Sequence, residues 1–184
     1  EFTLGPVNLL SGANGSGKTT AADAIQTVMT AAHENLFHYN PGQEESTQRG
    51  RSGKRVRTLA SYVLGCDDGS YARTQTTDAY IAAVFHPTQG ESAEPFTAVV
   101  AVRAWLDASG KLPLAREDQL AFFVLPDVEL GMDSFVSQGQ IVLIDDVEKT
   151  LIARHGKRSV ERYDQKRAYL RRLYAALRGK RESV

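Results

Sequence analysis

The sequence predicts an α/β protein of the P-loop NTPase class. A phosphate-binding loop sits between a strand and a helix, an antiparallel β-subdomain follows, and helices close the chain. Three observations predict this. Residues 12 to 19 read Gly12-Ala13-Asn14-Gly15-Ser16-Gly17-Lys18-Thr19, a complete G-x-x-x-x-G-K-[ST] motif. Later in the chain, strand-like segments succeed one another with no helical pattern between them, which favours an antiparallel sheet over a parallel one. The final stretch is basic and has helical periodicity.

Taken in order, Val7-Asn8-Leu9-Leu10 reads as a short buried strand entering the loop. Thr20 to Met29 places apolar residues at Ala21, Ala24, Ile25, Val28 and Met29, the spacing of an amphipathic helix. Strand, glycine loop and helix in that order are the setting in which the motif works. Glycines let backbone N–H groups converge on phosphate oxygens, and the helix aims its positive end at the same anion. The expected nucleotide contacts are therefore Ala13, Asn14, Gly15, Ser16, Gly17, Lys18, Thr19 and Thr20. Lys18 is the cation for the β- and γ-phosphates and Thr19 the hydroxyl ligand for Mg²⁺, with ATP as the nucleotide.

His33 to Lys54, with Asn40-Pro41-Gly42 and several Gly, Gln and Ser, reads as a long loop. Arg57 to Leu64 predicts a short helix closed by Gly65, and Asp67-Asp68-Gly69 a turn. Strands are predicted at Ala79 to His86, Phe96 to Leu106 and Gln119 to Leu125, with a turn at Ala108-Ser109-Gly110-Lys111. Ile141 to Ile144 is a fourth apolar run. Asp145 follows as the cap of a helix, with Glu148 as capping-box partner, and the helix stops at Gly156. Ser159 is the predicted cap of a last helix that runs to Leu177 and ends at Gly179. On it Tyr163, Leu170, Leu173, Tyr174 and Leu177 share one face, and Arg167, Arg171 and Arg178 form a stripe beside them.

A length of 184 residues suits one domain with a sizeable core. No apolar run approaches the length of a membrane span. The single cysteine, Cys66, excludes an internal disulfide and fits a reducing cytoplasm. The chain opens on Glu1-Phe2-Thr3-Leu4-Gly5 without an initiator methionine, so it reads as a piece of a longer protein. A net charge of zero hides an asymmetry: from Lys149 onward there are 12 Lys and Arg against 3 Asp and Glu, net +9, and the rest carries 10 against 19, net −9. A second basic cluster comprises Arg49, Arg51, Lys54, Arg55 and Arg57. Such segregation suggests an anionic partner, or else merely keeps a solvated helix soluble.

Ile141-Val142-Leu143-Ile144-Asp145-Asp146 has two readings. As a Walker B strand, Asp145 would serve Mg²⁺ and Asp146 would polarise an attacking water. As a strand end and helix cap, Glu148 is explained too, and this reading is preferred. No Leu-Ser-Gly-Gly signature occurs, and Ser137-Gln138-Gly139-Gln140 is only an echo of one. His33, His38, His86 and His155 lack metal-ligand spacing. With the aspartate pair read as a cap, the chain has a nucleotide cradle without complete hydrolytic machinery, as half of a split ATPase head would; the alternative is a free-standing P-loop NTPase or kinase that uses Asp145.

Gly5-Pro6-Val7-Asn8-Leu9-Leu10-Ser11-Gly12 through Thr20 resembles the opening of SMC-like ATPase heads. Gly53-Lys54-Arg55-Val56-Arg57-Thr58-Leu59-Ala60-Ser61-Tyr62 resembles the Gly-Lys-x-Arg…Tyr segment of MukB-type heads. Within the SMC family the chain is most similar to MukB-like condensins of the Mks/Wadjet type (the MksB and JetC subunits). The resemblance implies that residues 1–184 are the N-terminal lobe of an ABC/SMC-type head in a longer coiled-coil protein. Walker B, signature motif and catalytic glutamate would then lie in a C-terminal lobe, and the ATPase would be incomplete in this chain alone. It further implies a head homodimer around two ATP molecules, DNA translocation or loop extrusion, and a role in chromosome segregation or plasmid defence. Partners would be a kleisin, small winged-helix subunits, double-stranded DNA and a nuclease subunit. The location would be the bacterial cytoplasm, at the nucleoid. Gln138 is the candidate Q-loop residue near Mg²⁺. Arg55, Arg57, Arg167, Arg171 and Arg178 are the DNA-binding candidates. Family heads place an arginine finger nearer the P-loop than Arg55 or Arg57.

Overall fold

The computed structural model describes residues 4–5, 8–13, 16–33, 35–39, 58–67, 70–88, 90–91, 93–112 and 120–180. Its centre is a four-stranded antiparallel sheet whose strands neighbour one another in chain order. β3 is Thr77–Phe85, β4 Phe96–Ala104, β5 Leu120–Pro126 and β8 Glu161–Tyr163. The predicted strands lie within a few residues of β3, β4 and β5. Register is fixed by pairs such as Ile81↔Val100 and Val100↔Phe122. Cys66–Asp67 (β1) and Ser70–Tyr71 (β2) form a small separate pair, and so do Val136–Ser137 (β6) and Gln140–Ile141 (β7).

β4 and β5 read as almost unbroken apolar runs because both faces of the sheet are covered. Alternate residues serve two cores. Val99, Ala101, Ala121, Phe123 and Leu125 pack against Val147 and Leu151 of α3 (Ile144–His155). Ala98, Val100, Phe122 and Val124 pack against Val28 of α1 (Lys18–Thr30) and against Tyr169 and Leu173 of α4 (Lys166–Leu177). Thus α1 and α4 share one face and α3 has the other. A short helix, α2 (Leu59–Leu64), adds Leu59 to the α1 side.

α2 begins two residues later than predicted, because Thr58 and Ser61 form a capping box. Gly65 ends it in the left-handed region at φ 67°. The predicted turn over 67–69 lies partly outside the described residues. The turn near residue 109 is organised by Asp107, whose carboxylate accepts from the Ser109 and Lys111 amides at 2.8 and 3.0 Å. A third bond, from the Ser109 hydroxyl at 2.6 Å, is foremost among those that hold the Asp107 carboxyl below its ordinary range.

Four expectations need correction. Asn8 to Leu10 form no strand. Leu9 is 91% exposed, and no described strand lies beside the segment to pair with it. Ile141 to Ile144 are not a strand run either: β7 ends at Ile141 and α3 begins at Ile144. The cap of α3 is Leu143, with no side-chain bond, and Glu148 pairs with Arg162 at 3.1 Å instead of closing a capping box. Finally, Ser159 lies in a 3₁₀ turn (Lys157–Ser159), and Glu161–Tyr163 extend the sheet before α4 starts at Lys166. Tyr163 is therefore on a strand, where Tyr163 pairs with Phe122. Sheet pairing outweighs helix propensity at that point. Among the described residues no helix is long and apolar enough to cross a membrane.

Candidate functional site

Gly17 stands at the N-cap of α1 with φ 86°, left-handed backbone that favours glycine. A glycine cap brings no side-chain acceptor, and the first turn of α1 contains no acidic residue. Its leading N–H groups therefore keep the positive end of the helix open to an anion. Gly12 lies close to the same loop: a Cβ there would come 2.6 Å from Ser16 Oγ and 3.3 Å from Ser16 Cβ, so the Ser16 hydroxyl would have to turn away. The loop closes on itself through the Ser16 amide, which donates to the Ala13 carbonyl at 3.2 Å.

Lys18 crosses this loop. Its Nζ donates to the carbonyls of Gly12 and Ala13 at 2.7 and 2.8 Å and to Ser16 Oγ at 3.3 Å. These acceptors are neutral and exposed, so no carboxylate neutralises the ammonium within the loop. Thr19 and Thr20 are exposed in the first turn of α1. Asn14 and Gly15 lie outside the described residues. The arrangement can accept a polyphosphate: uncapped amides, one cation and adjacent hydroxyls. Among the described residues no group of His, Cys, Asp and Glu could hold a metal by itself. A Mg²⁺ here would be held by Thr19 together with the phosphates.

The other candidates are dispersed. Asp145 is in the first turn of α3, on the sheet face opposite α1, and its carboxylate accepts from Arg103 at 2.9 Å. Arg103 also forms a two-bond pair with Asp78 at 2.7 and 2.8 Å. The Asp78 bonds foremost raise the Arg103 pKa above its ordinary value. Asp78 in turn accepts from the Ile144 amide at 2.8 Å. Asp145 thus belongs to the anchorage of α3. Gln138 is at the tip of the β6–β7 hairpin with φ 52°, next to Gly139 at φ 78°. Two left-handed residues are the pattern of a tight hairpin turn, which explains the Gln-Gly pair without a signature motif. The base of that hairpin packs on the α3 side, through Phe135 and Val142.

Arg167, Arg171 and Arg178 are all exposed along one side of α4 and its C-terminal cap. Tyr174 lies in the same stripe, 40% exposed. Arg172, which faces inward, is 3% exposed and forms a two-bond pair with Glu161 at 2.7 and 3.1 Å. Arg55 and Arg57 lie outside the described residues.

Sequence reasoning did not find the tyrosines that surround α1. Tyr62 donates to Asp23 at 2.5 Å, Tyr169 to the Val28 carbonyl at 3.1 Å and Tyr174 to the Met29 carbonyl at 3.0 Å. The available signal was the polar pair Asp23 and Thr27 on the otherwise apolar side of that helix.

Residues 1–44 match the family described as the P-loop containing region of AAA domain. No curated protein and no solved structure gives a significant match to the chain. The matched segment covers the whole phosphate loop and α1, so loop geometry and family agree on a P-loop region that suggests nucleotide binding.

Proposed function

We infer that this chain is the ATP-binding lobe of an SMC-like ATPase head, of the MukB-like Mks/Wadjet type. The observation that carries the nucleotide reading is the Gly17–Thr20 turn, a helix start that, among the described residues, has no side-chain cap and stands beside a lysine bonded to neutral oxygens. Loop amides and Lys18 hold the phosphates, and Thr19 holds Mg²⁺ against them. The metal, when bound, supplies charge neutralisation at the β- and γ-phosphates.

Two observations support a split head. The extended segment that enters the loop has exposed leucines, Leu9 and Leu10, and Ile25 of α1 is exposed as well. A second lobe that adds strands here would cover them. The Asp145-Asp146 pair, which follows the apolar run from Ile141, is occupied elsewhere: Asp145 pairs with Arg103 on the far face of the sheet. The alternative of a self-sufficient NTPase or kinase using Asp145 therefore lacks support. In the split head, Walker B and the catalytic glutamate come from the C-terminal lobe, and two heads close on two ATP molecules. The arginine stripe of α4 supports duplex DNA as partner. DNA translocation, a kleisin, winged-helix subunits, a nuclease and a bacterial nucleoid setting complete this reading.

ATP turnover by this chain alone, and by the chain joined to its C-terminal lobe, tests the proposal. Turnover that depends on the second lobe is expected. Full turnover by the isolated chain would overturn the split-head reading.

A further inference from the structure

α1 is held in place by hydroxyl groups as much as by apolar packing. Its buried residues are Asp23, Thr27 and Val28, and two of these are polar. Tyr62 grips Asp23, and the Thr27 and Tyr39 hydroxyls share a hydrogen bond of 2.9 Å. The carbonyls of a helix's last turn have no partners within the helix. Here α4 supplies donors to two of them, Tyr169 to Val28 and Tyr174 to Met29. Lys166 of α4 adds a third bond just beyond, to the Ala32 carbonyl at 2.9 Å.

The chain leaves α1 through a hook of two left-handed alanines, Ala31 at φ 55° and Ala32 at φ 50°. Both amides bond to the Thr27 carbonyl. Left-handed backbone is unfavourable for a residue with a Cβ. Such a conformation persists only where its surroundings over-determine it. The Lys166 bond and the two tyrosine bonds are those surroundings.

We propose that Tyr174 and Lys166 are positioning residues for nucleotide binding. They fix the carbonyl end of the helix whose amino end forms the phosphate site. This rests on the nucleotide-binding reading above. A helix of 13 residues is about 20 Å long and stiff along its axis. A hold on its last turn therefore sets the axial position of the Gly17–Thr20 amides. N–H···O bonds tolerate a spread of only about half an ångström, so a small slip of α1 weakens the phosphate contacts. Tyr174 is suited to a test, because its ring is partly exposed and loss of the hydroxyl leaves no cavity.

The experiment uses Tyr174→Phe and Lys166→Met, alone and combined, in the complete protein. Mg-ATP affinity is measured by calorimetry and thermal unfolding on the same preparations. The combined variant is expected to bind Mg-ATP about three- to tenfold more weakly, the equivalent of about one net hydrogen bond. Adding Ala32→Gly relaxes the hook. That change is expected to recover thermal stability and leave the affinity low, a separation that a merely structural role does not produce. Wild-type binding with unchanged affinity in the combined variant overturns the positioning role alone. No Mg-ATP binding by the wild type overturns the nucleotide reading, and the positioning role with it.

Discussion

Replacing Asp78 with asparagine isolates the bond set that joins α3 to the sheet. Asp78 is 7% exposed and accepts three hydrogen bonds, two from Arg103 and one from the Ile144 amide. Breaking a buried ion pair from one side costs about 3–5 kcal/mol. Two features reduce that figure. The Arg103 side chain is 23% exposed and retains Asp145 as partner, and an asparagine oxygen can still accept from Ile144. A loss of about 2–3 kcal/mol follows. For a chain of this length, each kcal/mol moves Tm by about 2–4 °C, so Asp78→Asn should lower Tm by about 4–12 °C. Asp145→Asn is the internal control. The Asp145 side chain is 72% exposed, and an exposed pair contributes at most about 1 kcal/mol. Scanning calorimetry of both variants, with Mg-ATP titrations alongside, measures the contrast. Equal losses of stability would refute the burial argument. A large loss of Mg-dependent nucleotide binding in Asp145→Asn would refute the placement of Asp145 away from the phosphate site.

Further outcomes concern alkaline pH and the basic face. Burial foremost raises the phenols of Tyr80 and Tyr169 above their ordinary range, and burial with a bond to Glu161 pushes Tyr163 up to about 12. A raised folded-state pKa contributes stability that is full below the unfolded value of about 10 and is lost as pH rises toward the folded value. Between pH 10 and 12 the fold should therefore weaken, with phenolate absorbance from these residues appearing together with loss of circular dichroism. Titration of all tyrosines near pH 10 with the fold intact would contradict this. Replacing Arg167, Arg171 and Arg178 with Glu should weaken duplex binding by the assembled protein without regard to base sequence. If each arginine neutralises one phosphate, the log–log salt slope should flatten by about 2.7. Unchanged affinity and slope would mean that this side of α4 is only a solvated face.

Local chemistry was legible in the sequence wherever it determines structure by itself. The phosphate loop, the Gly65 stop and the three long strands are set by glycine conformation and by β-branched and aromatic runs. Long-range choices were not legible. Glu161–Tyr163 look helical, yet they pair with Phe122–Val124 because β5 leaves an edge to be covered. Asp145 looks like a cap or a metal carboxylate, because nothing near it in sequence announces Arg103, 42 residues away. The hold on α1 is still less local, since Tyr169 and Tyr174 reach it from more than 140 residues downstream. At the site itself the motif named Lys18 and Thr19, whereas the place of Gly17 as the left-handed N-cap of α1 was not legible before folding.

Mg-ATP binding by wild type and by Lys18→Ala, measured by calorimetry, tests nucleotide capture most directly. Among the described residues Lys18 bonds only to exposed atoms of its own loop, so the variant should fold with an unchanged Tm. The wild type is expected to bind Mg-ATP, and Lys18→Ala to bind it far more weakly. Equal affinity in the two, or no binding by the wild type, would contradict the assignment of this loop as a nucleotide site.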